Sequence, residues 1–359
     1  MEIKIWNNLS DCQKQAALTR PAQSSSDKVQ EIVSNIISRI QKEGDCALFE
    51  FSKTLDRFEG KNLEWTKDEI TEACSRVDQE LKTAIDTAYE NIKKFHQAQE
   101  PHCVKLETYP GIVCETHTHP IDSVGLYVPG GSAPLVSTAL MLAVPAAIAG
   151  CPEVILCSPP PISDAIIYAA TKAGVKRIFN LGGAQAIAAM AYGTETVPKV
   201  LKIFGPGNQF VTMAKRLVSN DAHGAAIDMP AGPSEVLVIA DDKANPEFVA
   251  ADLLSQAEHG PDSQVILVTQ SEDFAKKAME AVDRQLAVLP RKEIATKALS
   301  KSTAIVVDNV DDAVVVSNTY APEHLILQVE DPESLLPKLR NVGSIFVGAY
   351  TPESLGDYA

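Results

Sequence analysis

The chain has 359 residues, 45% of them hydrophobic, so it exceeds one ordinary domain and can bury the cores of two or three. Its 47 acidic against 32 basic side chains give a formal net charge of −15, which argues against nucleic acid or an anionic membrane as a partner. Seven cysteines without a C-x-x-C pair, and an N-terminus without the apolar core of a signal peptide, predict a cytoplasmic protein that is neither secreted nor membrane-spanning.

The first hundred residues carry helical patterns. Apolar side chains at i, i+3, i+4 spacing predict an amphipathic helix over residues 26–43. Thr66 and Glu69 have the spacing of a capping box and open a second helical region. We therefore predict an N-terminal helical region over residues 1–122, and we expect it to join the second of two α/β domains.

Residues 103–118 have the pattern of extended structure, with a turn at Gly111. His117 and His119 then alternate on one face of the predicted strand. Two histidines at this spacing can chelate a metal ion, but a solvated strand face is the simpler and preferred interpretation.

From Ser123 the pattern becomes strand, glycine-rich loop and helix, repeated every 25 to 30 residues or so, which is the sequence form of parallel βαβ units. We predict one α/β domain over residues 123–230, with strands at Ser123 to Val128, Val154 to Cys157, Arg177 to Leu181 and Val200 to Phe204. Three of these strands are followed by the loops Pro129-Gly130-Gly131, Gly182-Gly183-Ala184-Gln185 and Gly205-Pro206-Gly207-Asn208.

These loops have two explanations. Glycines after parallel strands let a nucleotide approach the backbone at the carboxyl edge of a sheet. However, none of the loops reads G-x-G-x-x-G, and short connections from strand to helix need glycine for turn geometry in any case.

A second α/β domain is predicted over residues 231–359, after the Pro- and Gly-containing link Asp228 to Ser234. Its predicted strands are Glu235 to Ala240, Gln264 to Thr269, Thr303 to Val307, Leu325 to Val329 and Ser344 to Val347. Its predicted helices cover residues 246–259, 272–288, 291–300, 311–318 and 332–340.

The helix over 246–259 ends in a polar cluster. Gln256 and His259 are three residues apart and share one face, with the carboxylates of Asp252 and Glu258 a turn away. Such a set suits a metal ion or a polar substrate, although a histidine near a helix C-terminus also serves as a cap that complements the helix dipole.

Glu323 and His324 follow Pro322 at the start of a predicted strand. Because neighbouring residues of a strand point opposite ways, we expect the two side chains to diverge. An adjacent carboxylate and imidazole can divide the roles of acid and base, whereas a polar loop beside a strand would need no such role.

Taken together, these motifs closely resemble the histidinol dehydrogenase family, in the same order and over nearly the whole chain from about residue 22. The segments that carry the resemblance are Leu126 to Pro134, Gly182 to Gln185, Phe204 to Asn208, Asp228 to Glu235, Leu253 to Asp262, Pro322 to Leu325 and Glu353 to Ala359. The resemblance implies an α/β fold of two Rossmann-like parallel-sheet domains without the G-x-G-x-x-G fingerprint. It also implies a zinc-dependent, NAD-linked oxidation of L-histidinol, through histidinaldehyde, to L-histidine.

The resemblance further implies roles for individual residues. Gln256, His259 and Asp357 would bind zinc, and Glu323 with His324 would form the catalytic acid/base pair. Ser234 would contact substrate, together with Gln256, His259, His324 and Asp357. Tyr127, Gln185 and Asn208 would contact NAD.

The family's sequences continue beyond the Gly-Asp-Tyr-Ala motif into a small C-terminal domain, with a Glu and a zinc-binding His that complete the partner's site in a homodimer. This sequence stops at Ala359, so we expect a truncated form with impaired activity. Two other classes stay open: a zinc hydrolase that activates water with Glu258 or Glu323, and a catalytically inactive ligand-binding remnant of the same fold.

Overall fold

The computed structural model describes residues 1–21, 26–130, 134–229 and 232–358, without the side chains of Ser26 and Tyr358. Gly131 of the first glycine loop, Pro230 and Ala231 of the predicted link, and Ala359 lie outside these residues. The chain divides into two compact units. We call Met1–Ser24 with Gly232–Gly356 the terminal unit, and Ser25–Ala231 with Asp357–Ala359 the central unit.

The elements are numbered in chain order. The strands are β1 (Glu2–Ile5), β2 (Lys105–Tyr109), β3 (Ile112–Glu115), β4 (Ser123–Tyr127), β5 (Glu153–Ser158), β6 (Arg177–Asn180), β7 (Lys202–Phe204), β8 (Ala226–Ile227), β9 (Glu235–Ala240), β10 (Gln264–Thr269), β11 (Thr303–Val306), β12 (His324–Gln328) and β13 (Ser344–Val347). The α-helices are α1 (Asp11–Leu18), α2 (Ser26–Glu43), α3 (Asp45–Leu55), α4 (Lys67–Arg76), α5 (Gln79–Gln97), α6 (Val136–Ile148), α7 (Asp164–Lys172), α8 (Gly183–Tyr192), α9 (Gln209–Ser219), α10 (Pro246–Ala257), α11 (Glu272–Val288), α12 (Lys292–Ser300), α13 (Val310–Tyr320) and α14 (Leu355–Tyr358). Two 3₁₀ turns cover Trp6–Asn8 and Glu333–Lys338, and the second replaces the predicted helix over 332–340.

The central unit is built on a parallel five-stranded sheet in the order β6-β5-β4-β7-β8. Within this sheet the first strand in sequence is the central β4. The chain then passes through β5 to the edge strand β6, and returns to add β7 on the other side of β4. In a sheet of this order, the carboxyl ends of the two strands at the reversal open the crevice where ligands bind. The predicted parallel sheet is confirmed, with the two-residue strand β8 as an addition.

The helices between residues 26 and 97 pack within this central unit. Helix α2 lies against α8 and α9, and α5 lies against α6. The apolar stripe of α2, which includes Val33 and Ile40, enters the same core as Phe179 and Ile187. The expectation that this region joins the second α/β domain is therefore wrong, since the part of residues 1–122 that belongs to the terminal unit is Met1–Ser24 alone. An apolar stripe predicts a buried face but does not specify which sheet covers it.

The terminal unit contains a parallel six-stranded sheet in the order β1-β11-β10-β9-β12-β13. The strands from β9 to β13 repeat the order of the central sheet, so both Rossmann-like sheets of the predicted fold are present. Strand β1 extends the edge beyond β11, pairing Glu2 with Thr303 and Ile5 with Val306. Both faces are covered, and β9 and β10 are buried along their full length.

The hairpin of β2 and β3 is exposed at every position. His117 and His119 follow the end of β3, so the prediction that they alternate on a strand face is wrong. Their exposed rings stack with centroids 6.5 Å apart, and Nε2 of His117 lies 3.2 Å from Oε2 of Glu115. Within the described residues, no group of three or more His, Cys, Asp or Glu side chains could hold a metal ion.

All seven cysteines are free thiols. Over the described ranges, no helix combines the length and the apolar character that crossing a membrane requires.

Candidate active site

Helix α10 places two of the predicted site residues. Its start is fixed by Asn245, whose Oδ1 accepts a hydrogen bond of 3.0 Å from the backbone N–H of Glu247, and by Pro246 in the first turn. Because α10 connects two parallel strands, it returns the chain to the edge where β10 begins. Gln256 and His259, at its C-terminal end, therefore lie toward the amino edge of the terminal sheet.

Gln256 is the most unusual of these residues. Its side chain is 1% exposed, yet neither its amide nitrogen nor its amide oxygen has a hydrogen-bond partner among the described residues. A buried polar group left unpaired costs about 1–3 kcal/mol. An unpaired buried amide is available to a ligand, and its oxygen together with the exposed imidazole of His259, three residues later, is a donor set that suits a metal ion.

Asp252, one turn before Gln256 on α10, is a second buried polar residue. The carboxylate of Asp252 accepts a short hydrogen bond from Nε2 of Gln328, at the end of β12. Burial raises the pKa of Asp252 to about 6; the bond from Gln328 opposes this rise and the nearby Glu353 carboxylate adds to it. Asp252 is therefore a largely buried carboxyl that titrates close to neutral pH.

His324 is the first residue of β12 and lies at the same amino edge of the sheet. Its Nδ1 atom is 3.0 Å from the backbone oxygen of Glu235, the first residue of the neighbouring strand β9. A carbonyl oxygen only accepts hydrogen bonds, so Nδ1 carries the proton and the neutral ring has its lone pair on Nε2. Nε2 lies 3.9 Å from Oε1 of Glu353. The geometry thus leaves Nε2 as the atom that can take up a proton.

Glu323 precedes β12 and keeps an exposed side chain. Its Oε2 atom lies 3.9 Å from Nδ1 of His324. The predicted divergence of the two side chains is therefore wrong. Glu323 lies outside the strand, so the alternation of side chains along a strand does not apply to it. Ser234 is half-buried directly before β9, and its carbonyl oxygen accepts a bond of 3.3 Å from the backbone N–H of Gln264. Ser234, Glu323 and His324 are thus brought to one edge of one sheet.

Asp357 lies in the short helix α14, is half-buried, and accepts a hydrogen bond of 3.2 Å from Oγ of Ser137. Both residues fall in the central unit.

The three predicted cofactor residues lie in the central unit, at the carboxyl edge of its sheet. Tyr127 is the last residue of β4 and is buried, and its hydroxyl accepts a bond of 3.0 Å from the backbone N–H of Gly183. Asn208 is the N-cap of α9, and its Oδ1 accepts bonds from the backbone N–H groups of Phe210 and Val211. β4 and β7, which lead to Tyr127 and Asn208, flank the reversal of strand order.

Gln185 is held by a residue that sequence reasoning missed. Its Nε2 donates to Oδ2 of Asp56 at 3.0 Å, and the backbone N–H of Gly182 donates to the same oxygen at 2.9 Å. Burial raises the pKa of Asp56, and these two bonds oppose that rise. Asp56 follows α3 in the N-terminal region, and no local pattern in the sequence links it to a loop 126 residues away.

The third glycine loop is closed by an ion pair between a buried lysine and a solvent-accessible aspartate. Asp228 accepts a bond of 2.8 Å from the backbone N–H of Gly205 and forms an ion pair with Lys215. The ammonium group of Lys215, whose side chain is 3% exposed, also donates to the carbonyl oxygen of Gly205 at 2.7 Å. Gly205 has φ = +128°, and a Cβ atom there would come within 2.0 Å of the Tyr127 carbonyl oxygen, so glycine is required.

As a result, the N–H groups of Gly182, Gly183 and Gly205 are all bonded within the protein. The second and third loops therefore do not present these three amides as a phosphate cradle, which favours turn geometry as the explanation for their glycines.

The comparisons with known proteins agree with one another. The family model for histidinol dehydrogenase matches residues 18–359. The histidinol dehydrogenases of Campylobacter jejuni (strain RM1221) and Aliivibrio fischeri (strain ATCC 700601 / ES114) are 57% and 56% identical to the chain over 359 residues, which is 100% of this chain and 84% and 82% of theirs. The crystal structure of histidinol dehydrogenase from Elizabethkingia anophelis matches with a TM-score of 0.96 and 48% identity, covering 100% of this chain and 83% of that chain.

Proposed function

The chain belongs to the histidinol dehydrogenase family, and we propose that it oxidises L-histidinol to L-histidine, through histidinaldehyde, at the amino edge of the terminal sheet. The overall reaction removes four electrons from the substrate in two hydride transfers and adds one water. It reduces two NAD molecules and releases protons that side chains of the site must accept. This is the last part of histidine biosynthesis.

The observation that carries the proposal is the fixed tautomer of His324. With Nδ1 held by the carbonyl oxygen of Glu235 at 3.0 Å, the ring offers Nε2 as a base. An alcohol must lose its hydroxyl proton as its hydride leaves, and a neutral imidazole suits this transfer at physiological pH. In our proposal Nε2 of His324 accepts that proton in each oxidation.

Glu323 supplies the second function. An aldehyde has no hydroxyl group, so water must add to histidinaldehyde before a second hydride can leave. The carboxylate of Glu323 is exposed and lies 3.9 Å from the His324 ring. We assign it the deprotonation of the attacking water, which leaves His324 to act on the hydroxyl groups.

The residues proposed to hold zinc are Gln256, His259 and Asp357, with Ser234 as a further contact to the substrate. The unpaired amide of Gln256 supports this assignment within the terminal unit. When bound, zinc would supply a template that orients the imidazole and amine of the substrate. An amide oxygen is a weak ligand, so we expect Mn²⁺ or Co²⁺ to replace zinc readily.

NAD is proposed to bind the central unit at Tyr127, Gln185 and Asn208, where it would accept the hydride. Tyr127 can still donate its phenol proton, and Gln185 is fixed by Asp56. Because the loop amides are already bonded, these residues would hold the cofactor by side-chain contacts rather than by a backbone cradle around its pyrophosphate.

A cytoplasmic location and a homodimer are proposed as well. Seven free thiols suit a reducing compartment. The homodimer is proposed from the family resemblance.

The test is to follow NADH absorbance with L-histidinol, with and without zinc. Production of NADH that depends on both supports the proposal. A zinc hydrolase would instead cleave amides without NAD, and an inactive binding protein would bind histidinol without turnover.

A further inference from the structure

Arg20 makes four hydrogen bonds to the segments that surround His324. Its Nε atom donates to Oε1 of Glu235 in a short contact, and its Nη2 atom lies 2.9 Å from Oε2 of the same carboxylate. Nη2 also lies 2.9 Å from the carbonyl oxygen of Tyr320 and 3.0 Å from that of Ala321. The guanidinium stacks over the Tyr320 ring, 4.6 Å from its centroid. All these residues belong to the terminal unit.

Glu235 links Arg20 to the catalytic base. Its side chain receives the guanidinium, while its backbone oxygen receives Nδ1–H of His324. The carboxylate is 12% exposed, so this forked pair is partly desolvated, and forked guanidinium–carboxylate pairs have a fixed geometry. A shift of the Glu235 side chain would therefore also move the backbone oxygen of Glu235, which is the atom that fixes the His324 tautomer.

The turn before Glu323 has a reason to need support. Ala321 ends α13 in the left-handed conformation, with φ = 55° and ψ = 64°. This conformation is unfavourable for residues that carry a Cβ atom. Arg20 binds the carbonyl oxygens of Tyr320 and of Ala321 itself, so it holds the strained turn from which Pro322, Glu323 and His324 continue.

We propose that Arg20 is a positioning residue for the catalytic pair, acting through Glu235 and the turn at Ala321. This role rests on the proposed function, since it assumes that Glu323 and His324 do the chemistry. Arg20 itself touches no substrate in this proposal. Its function is to keep Nε2 of His324 and the carboxylate of Glu323 in the positions that the reaction needs.

The first experiment compares Arg20→Ala and Arg20→Lys with the natural chain. Loss of positioning should lower kcat by about 10²-fold in Arg20→Ala, since displacements of about 1 Å can have that effect. KM for NAD should stay near its original value, because the proposed cofactor residues lie in the central unit. Arg20→Lys should be intermediate, because an ammonium cannot bind two carboxylate oxygens in a fork. Arg284→Met is the matched control, since it removes another arginine–glutamate pair of the same unit, to Glu247 at the other end of α10 from Gln256.

Chemical rescue separates positioning from damage to the fold. The Arg20 side chain is 47% exposed, so millimolar guanidinium can reach the space that Arg20→Ala leaves. Guanidinium should restore part of kcat in Arg20→Ala and should not raise it in the natural chain, with sodium chloride of equal ionic strength as the comparison. Unchanged kcat in Arg20→Ala would overturn the proposal.

A second readout needs no turnover. Nitrogen-15 NMR of labelled histidines distinguishes the two ring tautomers, and His324→Asn identifies the signal. Arg20→Ala should convert a pure Nδ1–H signal of His324 into a mixture. An unchanged tautomer, together with no rescue by guanidinium, would show that Arg20 only supports the fold. If the natural chain fails to oxidise histidinol while Arg20→Ala still alters the tautomer, the proposed function fails and the structural link from Arg20 to His324 stands.

Discussion

The Nε2 atom of His324 lies 3.9 Å from Oε1 of Glu353, while Nδ1 of the same ring is bound to Glu235. In the proposed reaction Nε2 takes up a proton, and a carboxylate at this distance would stabilise the imidazolium. Both Glu353 and Glu235 lie within motifs that carry the family resemblance. Their contacts with His324 are seen only in the folded structure.

The first prediction concerns the division of labour between Glu323 and His324. His324→Asn should slow the oxidation of histidinol by several orders of magnitude, because it removes the base proposed to take the hydroxyl proton. Glu323→Gln should leave that step nearly intact and slow the oxidation of added histidinaldehyde. Single-turnover measurements with the two substrates separate the steps. Equal slowing of both steps in both variants would contradict the assignment.

The second prediction concerns pH and Asp252. Its pKa in the folded protein, about 6, exceeds the ordinary value of 3.8, mainly through burial. The stability that this proton provides is therefore fully present below pH 3.8 and is lost as the pH rises through 6. A rise of this size corresponds to at most about 3 kcal/mol.

The Asp252→Asn variant has no charge at this position, so its stability should not fall with pH in this way. Between pH 4 and 7, the free energy of unfolding of the variant minus that of the natural chain should therefore increase by up to about 3 kcal/mol. Urea unfolding across this range measures the difference, with the exposed Asp242→Asn as the control. A difference that does not change with pH would contradict the prediction.

The sequence predicted local features well and long-range ones poorly. The Thr66–Glu69 capping box, the Asn245 cap with Pro246, and the βαβ strands are confirmed because their signals lie within a few residues. Strand β1 was missed because its polar–apolar alternation covers only four residues, the lower limit for predicting a strand, and because its partner β11 is about 300 residues away. Arg20 and Glu235 are likewise 215 residues apart, so no spacing rule could join them.

The third prediction concerns the ion pair that closes the Gly205 loop. Lys215→Met should lower the free energy of unfolding by about 1–3 kcal/mol, since the Gly205 carbonyl oxygen and the Asp228 carboxylate lose their bonds to a buried ammonium group. It should also raise KM for NAD more than KM for histidinol, because the loop carries Asn208. Lys172→Met, which removes a more exposed pair with Asp86, should change stability by less than about 1 kcal/mol. Similar effects of the two variants would contradict the proposed role of the Lys215–Asp228 ion pair.

The fourth prediction concerns the strength of cofactor binding. With the amides of Gly182, Gly183 and Gly205 already bonded, few strong contacts to a pyrophosphate remain. The dissociation constant for NAD should be on the order of 0.1–1 mM, or about −4 to −5.5 kcal/mol. Gln185→Leu should weaken binding about 3- to 10-fold by removing one neutral hydrogen bond, while the exposed Gln97→Leu should not. Calorimetry gives these constants, and a nanomolar value would refute weak binding.

The last prediction compares two buried glutamines of the terminal unit. Gln264 is 4% exposed and fully bonded: its Oε1 accepts from the Tyr320 hydroxyl at 3.0 Å, and its Nε2 donates to the carbonyl oxygens of Thr19 and Lys301. Gln256 is 1% exposed and has no partner among the described residues for either amide atom. Replacing a bonded group leaves its partners unpaired, whereas replacing an unpaired group removes a penalty.

In metal-free protein, Gln264→Leu should therefore lower the free energy of unfolding by about 1–3 kcal/mol, and Gln256→Leu should raise it by a similar amount. With zinc present, Gln256→Leu should instead be unfavourable. The substitution removes a proposed ligand, so zinc affinity should fall and the stabilisation that added zinc gives to the natural chain should shrink. Urea unfolding in a chelator and in excess zinc, with metal content measured on the same samples, tests both parts. If Gln256→Leu destabilised the metal-free protein as much as Gln264→Leu, the Gln256 amide would be serving the fold, and its assignment as a metal ligand would lose its support in the structure.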